Sequence, residues 1–185
     1  MGILAMFRRR PHERAGFELY GAAVGAARAP ALFAALAVPD TVEGRFDLVS
    51  LHVGLLIRRL RADADERGAP LAQAVFDAMF ADMDQNLREM GVSDLSVGKR
   101  VRGMWEAFHG RALAYEAAFD SAGPDALAEA LARNVWRGEP PAGDVAARLA
   151  AVARAQAAHL AGQGIDSLAA GRVAFLPAED LLHDA

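Results

Sequence analysis

Apolar residues recur along this 185-residue chain at helical spacing, and the clearest case is the stretch from Phe76 to Arg100. Counting about 100° per residue, Val75, Phe76, Met79, Phe80, Met83, Leu87 and Met90 fall within an arc of roughly 140°. That face is wide enough to pack against more than one neighbour. Asp77, Asp84 and Arg88 gather on the opposite face, and Asp82 and Glu89 share a second flank. Gly91 supplies the stop, because a left-handed closing residue is easiest without a Cβ.

The flanking pattern predicts further helices. His12 to Ala27 places Phe17, Tyr20 and Val24 on one side, Pro30 restarts the chain, and Pro39 ends the next apolar piece. Asp40 with Glu43 forms a capping-box pattern that opens a helix over Thr41 to Asp63. In that helix Phe46, Leu48, Val49, Leu51, Val53, Leu55, Leu56, Ile57 and Leu60 leave a narrow polar window of Asp47, Ser50, Gly54, Arg58 and Arg61. A helix apolar nearly all round belongs at the centre of a bundle. Its apolar side is broken at Arg45, His52 and Arg59, seven residues apart, and unpaired burial of such groups costs several kcal/mol. The expected partners of this stripe are Asp77, Asp82, Asp84 and Glu89 on the following helix.

Arg67 to Pro70 reads as a turn, and Ser93, Asp94 or Ser96 caps the next helix. There Val97, Val101, Met104, Trp105, Phe108, Tyr115 and Phe119 share a stripe, closed by Ser121 to Pro124. Asp125 to Trp136 follows. A Gly/Pro-rich linker spans Gly138 to Gly143, and Asp144 caps Val145 to Ala161. After Gly162 the signals weaken: Arg172 to Leu176 suits a short extended piece and Glu179 to Asp184 a loose acidic end. No other stretch alternates as a strand would. The pattern predicts an all-α fold, a single compact helical bundle of about six to seven helices with a weakly structured C-terminal tail. It divides into a flexible basic N-terminal tail (1–12), a helical core (13–121), and C-terminal helices and tail packed on that core (122–185).

Composition narrows the function. Without cysteine there are no disulfides, no thiolate chemistry and no cysteine-containing zinc site. Net charge is −4; residues 1–119 hold 15 basic and 15 acidic side chains, and the last 66 hold 5 and 9. A balanced body argues against a DNA- or RNA-binding protein. No apolar run reaches the ~20 residues that span a bilayer. The start, MGILAMFRRR, places its arginines after the apolar residues, the reverse of a secretory signal. A cytoplasmic protein is expected. Met1 to Arg10 also suits an anionic membrane surface, although a frayed tail is the favoured reading.

Candidate chemistry is sparse. The acids of the 77–89 stretch lack the Glu-x-x-His pairs of a di-iron bundle, so ion pairs and a solvated face are favoured over a metal site. His52, His109 and His159 fall on different helices, and His12 and His183 near the ends, with no His-Glu-x-x-His spacing. Val97-Gly98-Lys99-Arg100 lacks the leading glycine and trailing Ser/Thr of a phosphate loop. Gly21 and Gly25 lack the rest of a dinucleotide fingerprint. No catalytic, cofactor-binding or metal-ligating residue is predicted, and a carboxylate metalloenzyme is the reading that a metal assay would revive. Arg58, Arg59 and Arg61, with Lys99, Arg100 and Arg102, form either a partner-facing patch or a set of snorkelling side chains. Met79, Met83, Met90 and Met104 with Phe76, Phe80 and Phe108 read first as core. Left open, such a face receives another protein's apolar helix.

The order of motifs resembles the ubiquinol–cytochrome c chaperone family. It is carried by Leu19-Tyr20, Arg28-x-Pro30, Val38-Pro39-Asp40-Thr41, Gly44-Arg45-Phe46-Asp47, Leu51-His52 and Arg58-Arg59-Leu60. It continues through Phe76-Asp77-x-Met79-Phe80-x-Asp82-Met83-Asp84, Leu87-Arg88-Glu89-Met90-Gly91-Val92-x-Asp94-Leu95, Val97-Gly98-Lys99-Arg100-Val101, Phe108-x-Gly110-Arg111 and Ala114-Tyr115. The resemblance covers roughly residues 17–120. It implies a bacterial, non-enzymatic assembly factor for the cytochrome bc1 complex, without a cofactor, that shelters newly made cytochrome b. Expected surroundings are the ribosome exit, a small partner protein and the cytoplasmic face of the inner membrane. The protein-binding surface is then expected at Phe76, Met79, Phe80, Met83, Asp84, Arg88, Lys99 and Arg100. The alternative is a general peripheral-membrane or ribosome-associated adaptor using the two arginine- and lysine-bearing clusters.

Overall fold

A computed structural model describes residues 12–141 and 143–183; the predicted N-terminal tail falls outside them except for His12. Among the described residues there are nine helices and no strand. They are α1 (Glu13–Ala27), α2 (Pro30–Ala34), α3 (Val42–Arg61), α4 (Gly68–Glu89), α5 (Asp94–Asp120), α6 (Ala126–Val135), α7 (Val145–Ala161), α8 (Ile165–Ala169) and α9 (Ala178–His183). The bundle is all-α, as the periodicity predicts.

Helix α3 is the axle. Leu48, Leu51, Val53, Leu55, Leu56 and Leu60 are buried on every side, and α1, α4, α5, α6 and α7 all pack against it. Its first turn is capped by Thr41, whose Oγ1 accepts from the Gly44 amide at 3.1 Å. The Asp40–Glu43 capping box is therefore not used; Asp40 instead pairs with Arg45.

Helix α1 lies along α4 at a distance set by Gly16, where a Cβ would come within 2.6 Å of the Ala74 backbone. Such close approach selects small residues, so α1 buries Ala15, Gly16, Leu19, Tyr20, Ala23 and Ala27. Phe17, predicted to face inward with Tyr20 and Val24, is instead half-exposed, because a phenylalanine would hold the two helices apart.

Helix α4 begins three residues earlier than predicted. Pro70 sits in its first turn, where a missing amide donor costs nothing. Gly91, with φ 79°, ends α4 as expected. Its N–H bonds to the Arg88 carbonyl (2.9 Å) and the Val92 N–H to the Leu87 carbonyl (3.0 Å), the paired closure that satisfies the last carbonyls of a helix.

The C-terminal stretch is better ordered than its sequence suggests. α8 and α9 are short, but residues 172–177 between them are pinned by two glutamine side chains. Gln163 donates to the Ala174 carbonyl and accepts from the Ala174 amide; Gln156, buried in α7, does the same for Leu176. Each amide thus acts as one rung of a ladder and satisfies a backbone that has no partner strand. Leu182 and Ala178 of α9 join the core.

Two outcomes follow. Gly16→Ala gains about 1 kcal/mol of helix propensity but must push α1 off α4, a cost of about 1–3 kcal/mol, so urea denaturation should show net destabilisation or at best no gain. His52 is fully buried in α3, with Nδ1–H donating to the Leu48 carbonyl at 2.9 Å, and burial pushes its pKa below the ordinary imidazole value. The unfolded chain therefore binds a proton that the fold resists. Stability should fall as pH drops below about 6.5, and His52→Gln should flatten that fall between neutral and mildly acidic pH in thermal melts.

Candidate functional site

The charged residues of α3 do not find the partners predicted for them. Arg45, exposed, bonds Asp40 at 2.6 Å. Arg59 bonds Asp63 (2.7 Å) and the carbonyls of Leu160 (3.1 Å) and Gln163 (2.7 Å) at the end of α7, where helix carbonyls concentrate negative charge. His52 bonds within its own helix and lies 5.8 Å from the Phe175 ring. On α4, Asp82 accepts from the Tyr20 hydroxyl (2.7 Å), Asp77 from Gln73, Glu89 from Gln85, and Asp84 pairs with Arg88 at 2.6 Å. A seven-residue spacing drifts by about 20° per repeat on a straight helix. Over two repeats the stripe turns away from a single neighbour, and each cation takes what lies closest.

The buried charge that does organise α3 is Asp47, placed by its sequence position in the polar window. It has no exposed surface. Arg111 of α5 approaches its Oδ1 at 2.5 Å, and Arg137, just after α6, donates to its Oδ2 at 3.0 Å. Burial pushes the Asp47 carboxyl up from its ordinary value, and the two guanidiniums pull it back. Arg137 adopts a left-handed backbone (φ 56°) and also donates to the Asn134 carbonyl. This clamp fixes the height and rotation of α5 against α3.

A groove opens beyond the clamp, between the C-terminal halves of α3 and α5. Its floor is Leu51, Gly54 and Leu55; its walls are Phe76 from α4 and Phe108, His109, Ala112, Leu113 and Phe119 from α5; it encloses about 100 Å³. Gly54 makes the space, since a Cβ there would meet nothing within 4 Å. The Phe76 ring stands 4.7 Å from Phe80, 5.8 Å from Phe108 and 6.0 Å from His109, and Trp105 stacks on His109 at 4.2 Å. Trp105 is 43% exposed and Leu113 66% exposed. Arg58, Arg61 and Glu116 form the rim, with Arg58 over the Phe119 ring at 5.0 Å and bonded to Asp120. Arg58 Nε and His109 Nδ1 are buried without a protein partner among the described residues. An apolar trough with an aromatic wall and two hydrogen-bonding groups at its edge suits an apolar peptide segment. Among the described residues no three His, Asp or Glu side chains gather as metal ligands.

The eight residues expected to bind protein are split by the fold. Phe76 lines the groove, and Phe80 packs against Phe76 and Phe108 without lining it. Met79 and Met83 are buried in the core, and Asp84 with Arg88 forms an exposed ion pair. Lys99 and Arg100 sit on the outer half of α5, away from the groove. Sequence reasoning missed Gly54, His109 and Leu113 as groove residues. The signal available was a lone glycine in the middle of the most apolar helix.

The model of the ubiquinol–cytochrome C chaperone family matches residues 34–175. The chain belongs to this family. It is also similar in structure to the Cbp3 homolog from Brucella abortus, at 33% sequence identity and a TM-score of 0.79, over 96% of this chain and 98% of that one. No curated protein matches. The family's motif residues quoted from the sequence meet in space: Tyr20 with Asp82, Asp47 with Arg111, and Phe76 with Phe80 and Phe108. The Tyr20 hydroxyl, its pKa raised by burial and by the Asp82 carboxylate, stays protonated and so ties α1 to α4 as a donor.

Asp47→Ala leaves the Arg111 guanidinium buried beside no carboxylate and should cost about 3–5 kcal/mol. Asp84→Ala removes an exposed pair and should leave the unfolding midpoint unchanged. Chemical denaturation of the two variants side by side measures the contrast.

Proposed function

We propose that this family member is a non-enzymatic assembly chaperone of the bc1 complex whose groove between α3 and α5 holds an apolar segment of newly made cytochrome b. The observation that carries the reading is the groove itself, a preformed apolar trough on a helix otherwise buried all round, flanked by the exposed Trp105 and Leu113. Family membership supplies the bc1 context. The chemistry supports grip: the groove brings aromatic rings, a glycine floor and a cationic rim together, and its histidine is stacked on a tryptophan. In this reading the protein works beside the bilayer, on the cytoplasmic face, with the ribosome exit and a small partner protein as its surroundings; no helix among the described residues is long and apolar enough to cross a membrane.

A photo-crosslinker at Leu113 in living cells should give an adduct with cytochrome b. Leu113→Glu places a charge against the apolar wall and should weaken client capture by about tenfold or more with an unchanged melting temperature, because the side chain is exposed. Cells without the protein should lose cytochrome b and bc1 activity. Normal levels of both would refute the client, and adducts spread over unrelated nascent chains would favour a general adaptor.

A further inference from the structure

The outer end of the α4–α5 hairpin takes no part in the core. Core residues of α4 stop at Met83 and those of α5 begin at Phe108; between them only Val97 is buried. The tip is nevertheless regular, closed by the Gly91 turn described above. It carries two large apolar side chains with nothing to cover them, Met90 at 64% exposure and Leu95 at 96%. Leu95 lies on the side of α5 opposite Val97, and at about 100° per residue Lys99 and Arg102 fall within an arc of roughly 60° that includes it. Arg100, about 140° from Leu95, lies toward the opposite side.

The charge at this end is one-sided in its availability. Arg88 engages both Asp84 and Asp94, so two of the local carboxylates are already answered. Glu89 accepts from Gln85. Lys99, Arg100 and Arg102 form no ion pair among the described residues. Glu106, one turn beyond Arg102, marks the end of the basic face toward the body of the protein.

We propose that this tip is a docking surface for an anionic lipid bilayer, with Leu95 and Met90 entering the interface and Lys99 and Arg102 meeting the headgroups. Charge complementarity selects an anionic partner. The aliphatic pair selects a lipid one, because an exposed leucine at the point of a hairpin gains only where hydrocarbon receives it, and nucleic acid offers phosphates and stacking faces instead. The tip lies on the outer half of α5, whereas the groove uses its inner half, so a docked protein keeps its groove open. The surface stands apart from the client assignment and is tested without a client.

Flotation of the full-length protein with phosphatidylcholine vesicles carrying about 30% phosphatidylglycerol should show binding that is absent on phosphatidylcholine alone and is lost in about 0.5 M salt. Leu95→Glu, and separately the pair Lys99→Glu and Arg102→Glu, should weaken flotation about tenfold or more, with melting temperatures unchanged because all three side chains are exposed. Equal binding to neutral vesicles overturns the proposal. So does anionic binding that survives both variants, as it would if residues 1–10 carried it. Failure of the intact protein to float, or variants that keep lipid binding but lose binding to ribosomes, overturns it as well.

Discussion

A carboxylate without exposed surface, held between guanidiniums from two other parts of the chain, sets the geometry of this protein. Asp47 stands on the helix that every long neighbour touches, and its charge is tolerable only while Arg111 and Arg137 remain in place. The dependence runs both ways. Arg111 fixes α5 at one point along α3, and Arg137 fixes the turn after α6, so the helices are positioned by a polar contact inside a surface that is otherwise apolar. Apolar contacts alone are non-directional and would allow α5 to slide or rotate. The ion pair adds register, at a cost in desolvation that a leucine would not incur. The groove beyond the clamp exists because that register leaves Gly54 facing a gap in α5 rather than a side chain.

The other half of the bundle is fixed by distance instead of charge. Gly16 brings α1 onto the α4 backbone, and the Tyr20–Asp82 hydrogen bond holds the pair against rotation. With one flank of α4 committed to α1, its phenylalanines turn toward α5. Phe76 and Phe80 then meet Phe108, and Phe76 lines the groove. A helix whose apolar arc is wider than one neighbour can cover serves two partners, and the methionines and phenylalanines divide the task. Met79 and Met83 fill the core, where a flexible thioether adapts to irregular gaps. The stiff rings take the boundary with solvent.

Most of the fold was legible in the sequence, because it follows from period and punctuation. The periodicity gave the six long helices, Gly91 and Pro124 marked real boundaries, and α3 was correctly read as central from its nearly unbroken apolar circumference. Legibility failed where a residue's role depends on something distant in sequence. Asp47 reads only as part of a narrow polar window, since nothing local announces that Arg111 and Arg137 arrive from 64 and 90 residues away. Phe17 looked buried because hydrophobicity was counted without the closeness of the Gly16 contact. The segment 172–176 reads as a short extended piece, but what holds it stays hidden because its partners are glutamine side chains, which leave no pattern. The stripe of Arg45, His52 and Arg59 was real as a spacing and misleading as a prediction of contacts, for a shared direction on one helix does not supply a shared partner.

The candidate site illustrates why binding surfaces are harder to read than cores. An apolar residue in the core and one in a groove obey the same periodicity; only the absence of a neighbour separates them, and absence is a property of the packed structure. Gly54 is the informative residue because it inverts the usual sign. In the middle of a helix it costs about 1 kcal/mol relative to alanine, and no contact within the protein requires it. Under the proposed function, that open space is where the client's side chain enters. The floor that Gly54 opens belongs to the central helix of the bundle, and the α5 wall is anchored along the same stretch at Phe108, Arg111 and Tyr115. A trough whose floor and wall are both held by the core keeps one shape, and under the proposed function that shape presents a single orientation to each apolar segment.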